Sequence, residues 1–267
     1  MIETKKIETK MIENQCITVI PIYKERLEED EIKCVSRYCK VLQGETIVFV
    51  APEGLNCSFY ENAFPSIGFE TFPDKYFTGT KAYNHLLLNV TFYERFANYD
   101  YMLIAQTDAV IWGKENRLQE FIRKGYDYFG APWIPERRIW EWRFVNRGGR
   151  KRLECCKKAG QGITMGNGGF CLRNIKKSIA LVKEFSWRKC YWFVKRNEDI
   201  FFGVFGEYNK CGFRLADEKT GLQFAGEYHL RERVEKGDIP WGVHGWKKEF
   251  ASYSEMQQFL AAHGVDI

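Results

Sequence analysis

The sequence predicts an α/β fold, in which a mixed, mainly parallel sheet is flanked by helices within a single domain. The first observation is the order strand, helix, strand over Cys16–Ile22, Lys24–Leu42 and Thr46–Ala51, with short connections typical of a crossover helix between parallel strands. The second is that both strands are continuously apolar, which indicates a sheet covered on both faces. The third is the length of 267 residues with 45% hydrophobic residues, which allows one large core.

Further elements follow from apolar runs and helical spacing. They are a short strand at Ile67–Phe72, a helix at Thr80–Phe96, a strand at Tyr101–Ala105, a helix at Leu118–Lys124, a strand running into a turn at Tyr126–Trp133, a strand at Phe170–Arg173, a helix from Asn174 to Phe185, a helix opened by Asn197–Asp199, and a terminal helix near Glu255–Ala262. We expect irregular structure from 206 to 240. Residues 1–14 repeat Ile-Glu-Thr-Lys and are expected to form a polar tail or one frayed helix, which leaves 15–267 as the domain.

Composition excludes several classes of protein. The 28% charged and 16% aromatic residues exclude disorder, collagen-like repeats and a coiled coil. The nine cysteines include no CxxC pair, which favours a reducing cytosol. No apolar run approaches the roughly 18–20 residues of a membrane span, and the N-terminus has no hydrophobic signal region. We therefore expect a cytoplasmic protein.

The charge is concentrated in one segment. The chain carries +5, whereas Glu136–Lys158 contains nine basic and three acidic residues. This pattern favours an anionic partner such as a phosphate or a phospholipid surface, although a solvated loop explains it as well. Nucleic-acid binding is not expected, because the basic residues form one loop and no known module is present.

Two carboxylate segments are candidates for chemistry. Asp108 directly follows the strand Tyr101–Ala105, and open α/β sheets bind ligands at the carboxyl ends of their strands. An acid there can hold a divalent cation that meets substrate phosphates, or it can be a turn residue. Glu198 and Asp199 open a helix, where one carboxylate can accept a proton from an attacking hydroxyl or merely cap the helix.

A glycine-rich turn and a late histidine complete the candidates. Met165–Phe170 reads MGNGGF, and its glycines permit positive φ and let a ligand approach the backbone. It is neither a Walker loop nor a dinucleotide fingerprint, and a plain flexible turn is the alternative. His244 stands between Gly242 and Gly245, and it is either a ligand or a structural histidine.

Taken together, these segments resemble a known group of proteins. The QTDA, GNGGF, NED and GVHGW segments occur in this order in glycosyltransferase-like proteins of the GT-A fold. The chain is most similar to a mostly bacterial family described as a domain of unknown function, whose members share GAPW, GNGGFxLR, NED and an HGW ending. Gly130–Trp133 and Tyr83–Asn84 also match. The resemblance covers roughly residues 16–248.

The resemblance implies transfer of a sugar from a nucleoside diphosphate sugar, with UDP favoured, to a hydroxyl of a glycan or lipid-linked acceptor. Asp108 resembles the metal-ligating last acid of a DxD motif whose first acid is replaced by Gln106, and His244 resembles the histidine that completes a Mn²⁺ or Mg²⁺ shell. Asp199 resembles the catalytic base, which implies inversion at the anomeric carbon. The implied contacts with donor or acceptor sugar are Asn167, Gly168, Gly169, Glu198 and Trp246.

The nucleotide is expected over the ends of the first two strands. Pro21 and Tyr23 follow the first strand, and Ala51–Glu53 follows the second. The remaining expected nucleotide contacts are Gln106, Asp108, Lys247, and Lys81 with Asn84, although the last two also fit a solvated helix face.

Two other functions remain open. A nucleotidyltransferase would use a metal and an α/β sheet, but a glycine-rich and basic loop is expected after its first strand, and Ile20–Lys24 offers little of that. A non-catalytic carbohydrate-binding protein would use some of the eight tryptophans and fourteen tyrosines to stack on sugars. If the cationic residues 137–158 bind a lipid-linked acceptor, the protein would lie peripherally at the inner face of the membrane.

Overall fold

The computed structural model describes residues 15–134, 165–186 and 197–267. The strands in these ranges are β1 Cys16–Pro21, β2 Thr46–Pro52, β3 Gly68–Phe72, β4 Tyr101–Ala105, β5 Ala109–Ile111, β6 Tyr128–Phe129, β7 Phe170–Asn174, β8 Ala225–Gly226 and β9 Gly242–His244. The α-helices in the same ranges are α1 Glu29–Val41, α2 Ser58–Ala63, α3 Thr80–Leu87, α4 Val90–Glu94, α5 Leu118–Arg123, α6 Ile175–Glu184, α7 Glu198–Tyr208, α8 Glu218–Phe224, α9 Leu230–Glu235 and α10 Tyr253–Ala262.

The main sheet has six strands in the order β3-β2-β1-β4-β7-β6. The first four strands are parallel to their neighbours, and β7 runs antiparallel to both β4 and β6. Every residue of β1 and β4 is buried, as expected for central strands covered on both faces. The predicted fold class, a mixed and mainly parallel sheet flanked by helices, is confirmed.

A second, three-stranded sheet has the order β5-β9-β8. Strand β5 pairs antiparallel with β9, and β8 pairs parallel with β9. A separate apolar cluster packs around this small sheet and includes Trp112, Trp246, Phe250 and Met256. The small sheet follows directly from β4, so it extends the carboxyl edge of the main sheet.

The predicted single helix at Thr80–Phe96 is wrong. Helix α3 ends at Leu87 and α4 begins at Val90. The Asn89 side chain accepts a hydrogen bond from the Thr91 N–H at 3.1 Å and caps the second helix. An asparagine that bonds nearby backbone in this way competes with continued helix, which explains the break.

The first helix begins five residues later than Lys24. The Glu28 N–H donates to Glu31 Oε2 at 2.8 Å, in a capping box that starts α1 at Glu29. The apolar spacing extended past this boundary because Leu27 is buried as well.

The irregular structure expected between 206 and 240 is also wrong, since α8, β8 and α9 lie there. Asp217 caps α8 by accepting the Thr220 N–H at 2.8 Å. The strand expected over Tyr126–Trp133 is limited to Tyr128–Phe129, and α2 was not predicted. These elements are short, and short elements leave little periodicity to detect.

Two expectations lie outside the described residues: the polar tail at 1–14 and the cationic segment at 137–158. Within the described residues, no helix has the length and apolar character needed to cross a membrane.

Candidate functional site

Strand pairing brings distant candidate segments together. The antiparallel pair β4 and β7 aligns Ala105 with Phe170, so the loop 106–108 lies beside the turn 166–169. The Gln106 N–H donates to the Gly169 carbonyl at 2.8 Å. The pair β5 and β9 aligns Ala109 with His244, which places His244 next to the same loop. Three segments that together span more than 130 residues of sequence thus meet at one edge of the main sheet.

Asp108 and His244 are in direct contact. His244 Nε2 lies 3.4 Å from Asp108 Oδ1, and half of the Asp108 side chain is exposed. Burial raises the pKa of Asp108, but contact with His244 outweighs burial and holds the carboxyl below its ordinary value. Burial likewise lowers the pKa of His244, but Asp108 and then Glu227 leave it above its ordinary value. In the absence of another cation, the imidazole thus serves as the positive partner of Asp108.

Glu227 is a member of this site that sequence reasoning missed. The parallel pair β8 and β9 aligns Gly226 with Val243, so Glu227 lies beside His244, with Oε1 3.9 Å from Nδ1. Lys248 was missed too; its ammonium pairs with Glu227 Oε1 at 2.5 Å and lies over the Tyr228 ring. The available signal was an acid directly after the short apolar run 224–226.

The glycines of the turn accommodate other side chains of the site. A Cβ on Gly166 would lie 2.1 Å from the Trp133 indole, one on Gly168 would lie 2.0 Å from Glu198 Oε1, and one on Gly169 would lie 2.3 Å from His244 Nε2. We expected the missing Cβ atoms to leave room for a ligand beside the backbone. Side chains of the protein fill the space at these three positions, so that expectation is wrong there. The glycines permit close packing between the motifs.

The positive φ of the turn falls on Asn167, with φ of 65°. Its Oδ1 accepts the Gly169 N–H at 3.0 Å, which supports this left-handed conformation. Its Nδ2 is buried without a hydrogen-bond partner among the described residues. Backbone strain and an unsatisfied amide in one residue are features that collect at functional sites.

Asp199 lies in the first turn of α7 and faces the same glycine turn. Its Oδ2 accepts the Asn167 N–H at 3.3 Å, and its Oδ1 accepts the Ile200 N–H at 2.7 Å. Burial, and then the neighbouring Glu198 charge, raise the pKa of Asp199 to about 7, although the backbone N–H groups oppose the shift. A carboxyl that titrates near neutral pH is suited to general base catalysis.

Glu198 is buried in the core, where it is bonded to Arg173. Its Oε1 accepts a hydrogen bond from Arg173 Nη2 at 2.6 Å, and neither side chain is more than 6% exposed. The resemblance implies a sugar contact for Glu198, but this geometry supports a structural role, in which Glu198 pairs with Arg173. Arg173 was missed, although an arginine inside the apolar run 170–173 was a visible signal.

A strand-end cleft of about 330 Å³ lies over the carboxyl ends of β1 and β4. It is lined by Pro21, Tyr23, Glu31, Phe77, Gly79, Thr80, Tyr83, Gln106, Thr107 and Asp108. Four of the expected nucleotide contacts, Pro21, Tyr23, Gln106 and Asp108, therefore lie around one cavity. The described lining contains two acidic residues and no lysine or arginine.

The other expected nucleotide contacts lie elsewhere. Asn84 is buried and Lys81 is exposed, and neither belongs to the lining of the cleft, where Thr80 and Tyr83 of the same helix are found. Lys247 pairs with Asp30 at 3.1 Å and with Glu28 at 3.8 Å, both near the start of α1. Its charge is therefore already compensated by carboxylates, which weakens the expectation that it meets a diphosphate.

Trp246 does not line the strand-end cleft. Its side chain is fully buried in the apolar cluster around the small sheet, where it packs edge-on against Tyr253. The indole is thus not available to stack on a sugar in this structure, and the expected sugar contact is corrected to a core contact.

A second cavity has a volume of about 410 Å³ and is here called the Asp199 pocket. Its lining is Trp133, Asn197, Asp199, Ile200, Glu227, Tyr228 and Lys248. The chain of contacts from Asp108 through His244 to Glu227 connects the strand-end cleft with the Asp199 pocket. Of the three residues on which the expected chemistry depends, Asp108 lines the first cavity and Asp199 the second, whereas His244 lines neither and contacts Asp108 and Glu227.

The residues present fit a divalent cation only if the substrate completes its shell. Two donors about 2.1 Å from one ion stand about 3.0–3.4 Å apart, and the Asp108 and His244 donor atoms are 3.4 Å apart. Glu227 lies at the other ring nitrogen, the place of an outer carboxylate that orients a ligating histidine. Within the described ranges, no three or more His, Cys, Asp or Glu side chains are arranged to hold an ion by themselves.

Comparison with known proteins places the chain in a family without an assigned activity. No curated protein matches it. Among solved structures, an apo structure described as the WbbM bifunctional glycosyltransferase is similar in fold, with a TM-score of 0.50 and 13% sequence identity over 88% of this chain. The match spans 46% of that protein, so this chain corresponds to about half of its length. The family described as "Protein of unknown function (DUF5672)" matches residues 66–244, about two thirds of the sequence, and the chain therefore belongs to this family.

Proposed function

We propose that this protein is a glycosyltransferase that moves a sugar from a nucleoside diphosphate sugar to a hydroxyl of a glycan or glycolipid, with a divalent cation and with inversion at the anomeric carbon. The observation that carries the proposal is the chain of contacts through His244, which links Asp108 of the strand-end cleft to Glu227 of the Asp199 pocket. The fold similarity to a glycosyltransferase supports it.

The charge of the strand-end cleft supports a cation on the donor side. A diphosphate would meet the half-exposed carboxylate of Asp108 and no described lysine or arginine in the lining, since Glu31 is already paired with Lys24. Like charges at such short range repel strongly. Asp108 and His244 would hold the cation, and the cation would neutralise the departing diphosphate as a Lewis acid.

The shape of the cleft supports a nucleotide. Tyr23 is 63% exposed and lies at the carboxyl end of β1, where its ring can stack on a base. The floor is held in place by Glu31, which accepts the Thr107 hydroxyl at 2.9 Å and pairs with Lys24 at 2.7 Å. A rigid polar floor beside an exposed aromatic ring suits a nucleoside.

Asp199 is the proposed catalytic base on the acceptor side. Its two oxygens are oriented by the Asn167 and Ile200 N–H groups, and each keeps a lone pair for another donor. In a single displacement, Asp199 takes the proton of the acceptor hydroxyl as the oxygen bonds to the anomeric carbon and the sugar–phosphate bond breaks. One such displacement inverts the anomeric configuration.

The Asp199 pocket offers contacts suited to a sugar acceptor. Trp133 and Tyr228 line it together with the polar groups of Asn197 and Lys248. Aromatic faces combined with hydrogen-bonding groups match the apolar faces and hydroxyl rims of pyranose rings. The further proposals of a lipid-linked acceptor, an inner-membrane contact and a cytoplasmic location rest on residues 137–158 and on composition alone.

Calorimetry tests the donor half of the proposal. UDP and GDP are titrated into wild type with Mn²⁺ and with EDTA, and into Asp108→Asn and Asp199→Asn. We expect nucleotide binding that needs Mn²⁺, that weakens in Asp108→Asn and that survives in Asp199→Asn. Asp238→Asn, at an exposed carboxylate paired with Arg233, is the matched control. Binding of both nucleotides that is indifferent to EDTA would refute the metal assignment.

Turnover tests the transfer half. Wild type is incubated with a panel of UDP- and GDP-sugars, and release of the nucleoside diphosphate and the anomer of the product are followed by NMR. We expect release that Asp199→Asn abolishes while its nucleotide binding persists. Equal loss of binding and release in Asp199→Asn would mean that Asp199 is a structural helix residue.

A further inference from the structure

Arg173 is a fully buried cation in the middle of β7. Burying a guanidinium away from water costs free energy unless its N–H groups are hydrogen-bonded and an acid compensates its charge. Arg173 Nη1 donates to the Tyr93 hydroxyl at 2.8 Å, Nε to Cys171 Sγ at 3.2 Å, and Nη2 to Glu198 Oε1 at 2.6 Å. Every nitrogen of the guanidinium thus has a partner, and one partner is an acid.

Aromatic rings fix the plane of the same guanidinium. Its carbon lies 4.4 Å from the Phe202 ring centroid and 5.2 Å from that of Tyr128. These rings belong to α7 and β6, and Tyr93 belongs to α4. Arg173 therefore joins four elements of the core, which leaves its side chain little freedom.

The Glu198 side chain is held in place by its hydrogen bond to Arg173. Arg173 holds Oε1 of Glu198, and the turn packs so closely that a Cβ on Gly168 would lie 2.0 Å from that oxygen. Glu198 is also the first residue of α7, directly before Asp199. Because Glu198 and Asp199 are consecutive residues of α7, an anchored Glu198 side chain restrains the backbone from which Asp199 projects.

We infer that Arg173 and Glu198 form a positioning pair for Asp199: the buried guanidinium anchors Glu198, and the anchored Glu198 holds its charge and the first turn of α7 in place beside Asp199. The inference rests on the proposed role of Asp199 as base. Neither Arg173 nor Glu198 touches the reacting atoms.

The surrounding charges are consistent with this assignment. Burial first and the Glu198 charge second raise the pKa of Asp199, and Glu227 across the Asp199 pocket adds a smaller effect of the same sign. Lys248 lines that pocket but is paired with Glu227, and the Tyr128 ring of β6 packs against the Arg173 guanidinium. Among these groups, Glu198 has the largest effect.

The test follows the carboxyl carbon of Asp199 by ¹³C NMR during a pH titration of the full chain, with the signal assigned as the one that Asp199→Asn removes. Glu198→Gln keeps the shape of the side chain and an oxygen for Arg173 but loses the charge. Because a nearby like charge disfavours the ionised form of a carboxyl, its removal should lower the midpoint, and we expect a fall of about one pH unit. Glu94→Gln, at an exposed acid paired with Lys183, is the matched control and should leave the midpoint unchanged.

Glu198→Gln decides the inference alone: an unchanged midpoint overturns it, and so does an equal change in Glu94→Gln. Arg173→Lys tests the anchor, since one ammonium cannot bond Tyr93, Cys171 and Glu198 together. With an active donor, we expect its kcat to fall about tenfold with little change in donor KM, as for a misplaced catalytic group. The titration needs no sugar donor, so it can be read even in a protein without transferase activity. If the Asp199 midpoint falls in Glu198→Gln but no transfer is found, the proposed function is refuted and the link between Glu198 and Asp199 is retained.

Discussion

The contact between Gly169 and His244 leads to a sharp prediction for Gly169→Ala. The φ of Gly169 is not positive, so alanine meets no backbone strain there. The added Cβ would lie 2.3 Å from His244 Nε2, 2.4 Å from Cδ2 and 2.6 Å from Cε1. The substitution therefore acts on the site through a steric clash with one imidazole.

The size of the effect follows from these distances. Ordinary contact begins at 3.4 Å, so the ring must retreat by about 1 Å or the turn must move. Overpacking of this kind costs about 1–3 kcal/mol of folding free energy. The ring also leaves its place beside Asp108, and displacing the support of a metal ligand lowers affinity by about 10–100-fold. We expect Mn²⁺-dependent UDP binding to weaken by at least about tenfold.

Urea unfolding and calorimetry with UDP and Mn²⁺ measure the two effects. Gly68→Ala is the matched control, because its Cβ would lie 3.7 Å from Val48 Cγ1, an ordinary contact. We expect the control to stay within about 0.5 kcal/mol of wild type and to bind UDP normally. If Gly169→Ala behaves like Gly68→Ala in both assays, the imidazole does not lie against the turn and the reasoning about this site fails.

Three further predictions concern Asp199, Tyr23 and Asn89. The folded-state pKa of Asp199 is raised to about 7 from 3.8, so the folded protein binds more protons than the unfolded chain between these values and loses stability as pH rises through them. Asp199→Asn cannot ionise, and its stability relative to wild type in urea should therefore increase by about 2 kcal/mol from pH 5 to pH 8; no increase would contradict the burial of this carboxylate. Tyr23→Ala should weaken UDP binding by about tenfold through lost stacking while Tm stays unchanged, because the ring is 63% exposed, and Tyr23→Phe should bind normally. Asn89→Ala should lower the free energy of unfolding by about 1 kcal/mol through the lost cap of α4, and a neutral result in urea would show that the break has another cause.

The central strands were predictable because their signal is local. Runs such as Tyr101–Ala105 are apolar throughout, and a strand buried on both faces demands that composition. Helix boundaries were less predictable, since α1 begins where the Glu28 N–H donates to the Glu31 carboxylate and α4 begins where the Asn89 side chain accepts the Thr91 N–H. The apolar spacing continues across both boundaries and does not reveal them.

The candidate site was predictable in part. Asp108, Asp199 and His244 each stand next to a turn or an element end, where polar side chains are conspicuous. Their partners Glu227, Lys248 and Arg173 were missed, because their significance depends on which strand lies beside which. The glycine turn was located correctly, but the groups that its glycines accommodate are protein side chains.

The order of apolar and polar residues by itself determined the α/β class, the central strands and the short list of chemically capable side chains, because each of these depends on neighbours a few positions apart. Tertiary structure alone decided the rest: the reversed direction of β7, the alignment of β5 with β9, and the burial of Trp246 and Arg173. The two strand alignments join segments more than 60 residues apart, and contacts of this range leave no periodic trace in the chain.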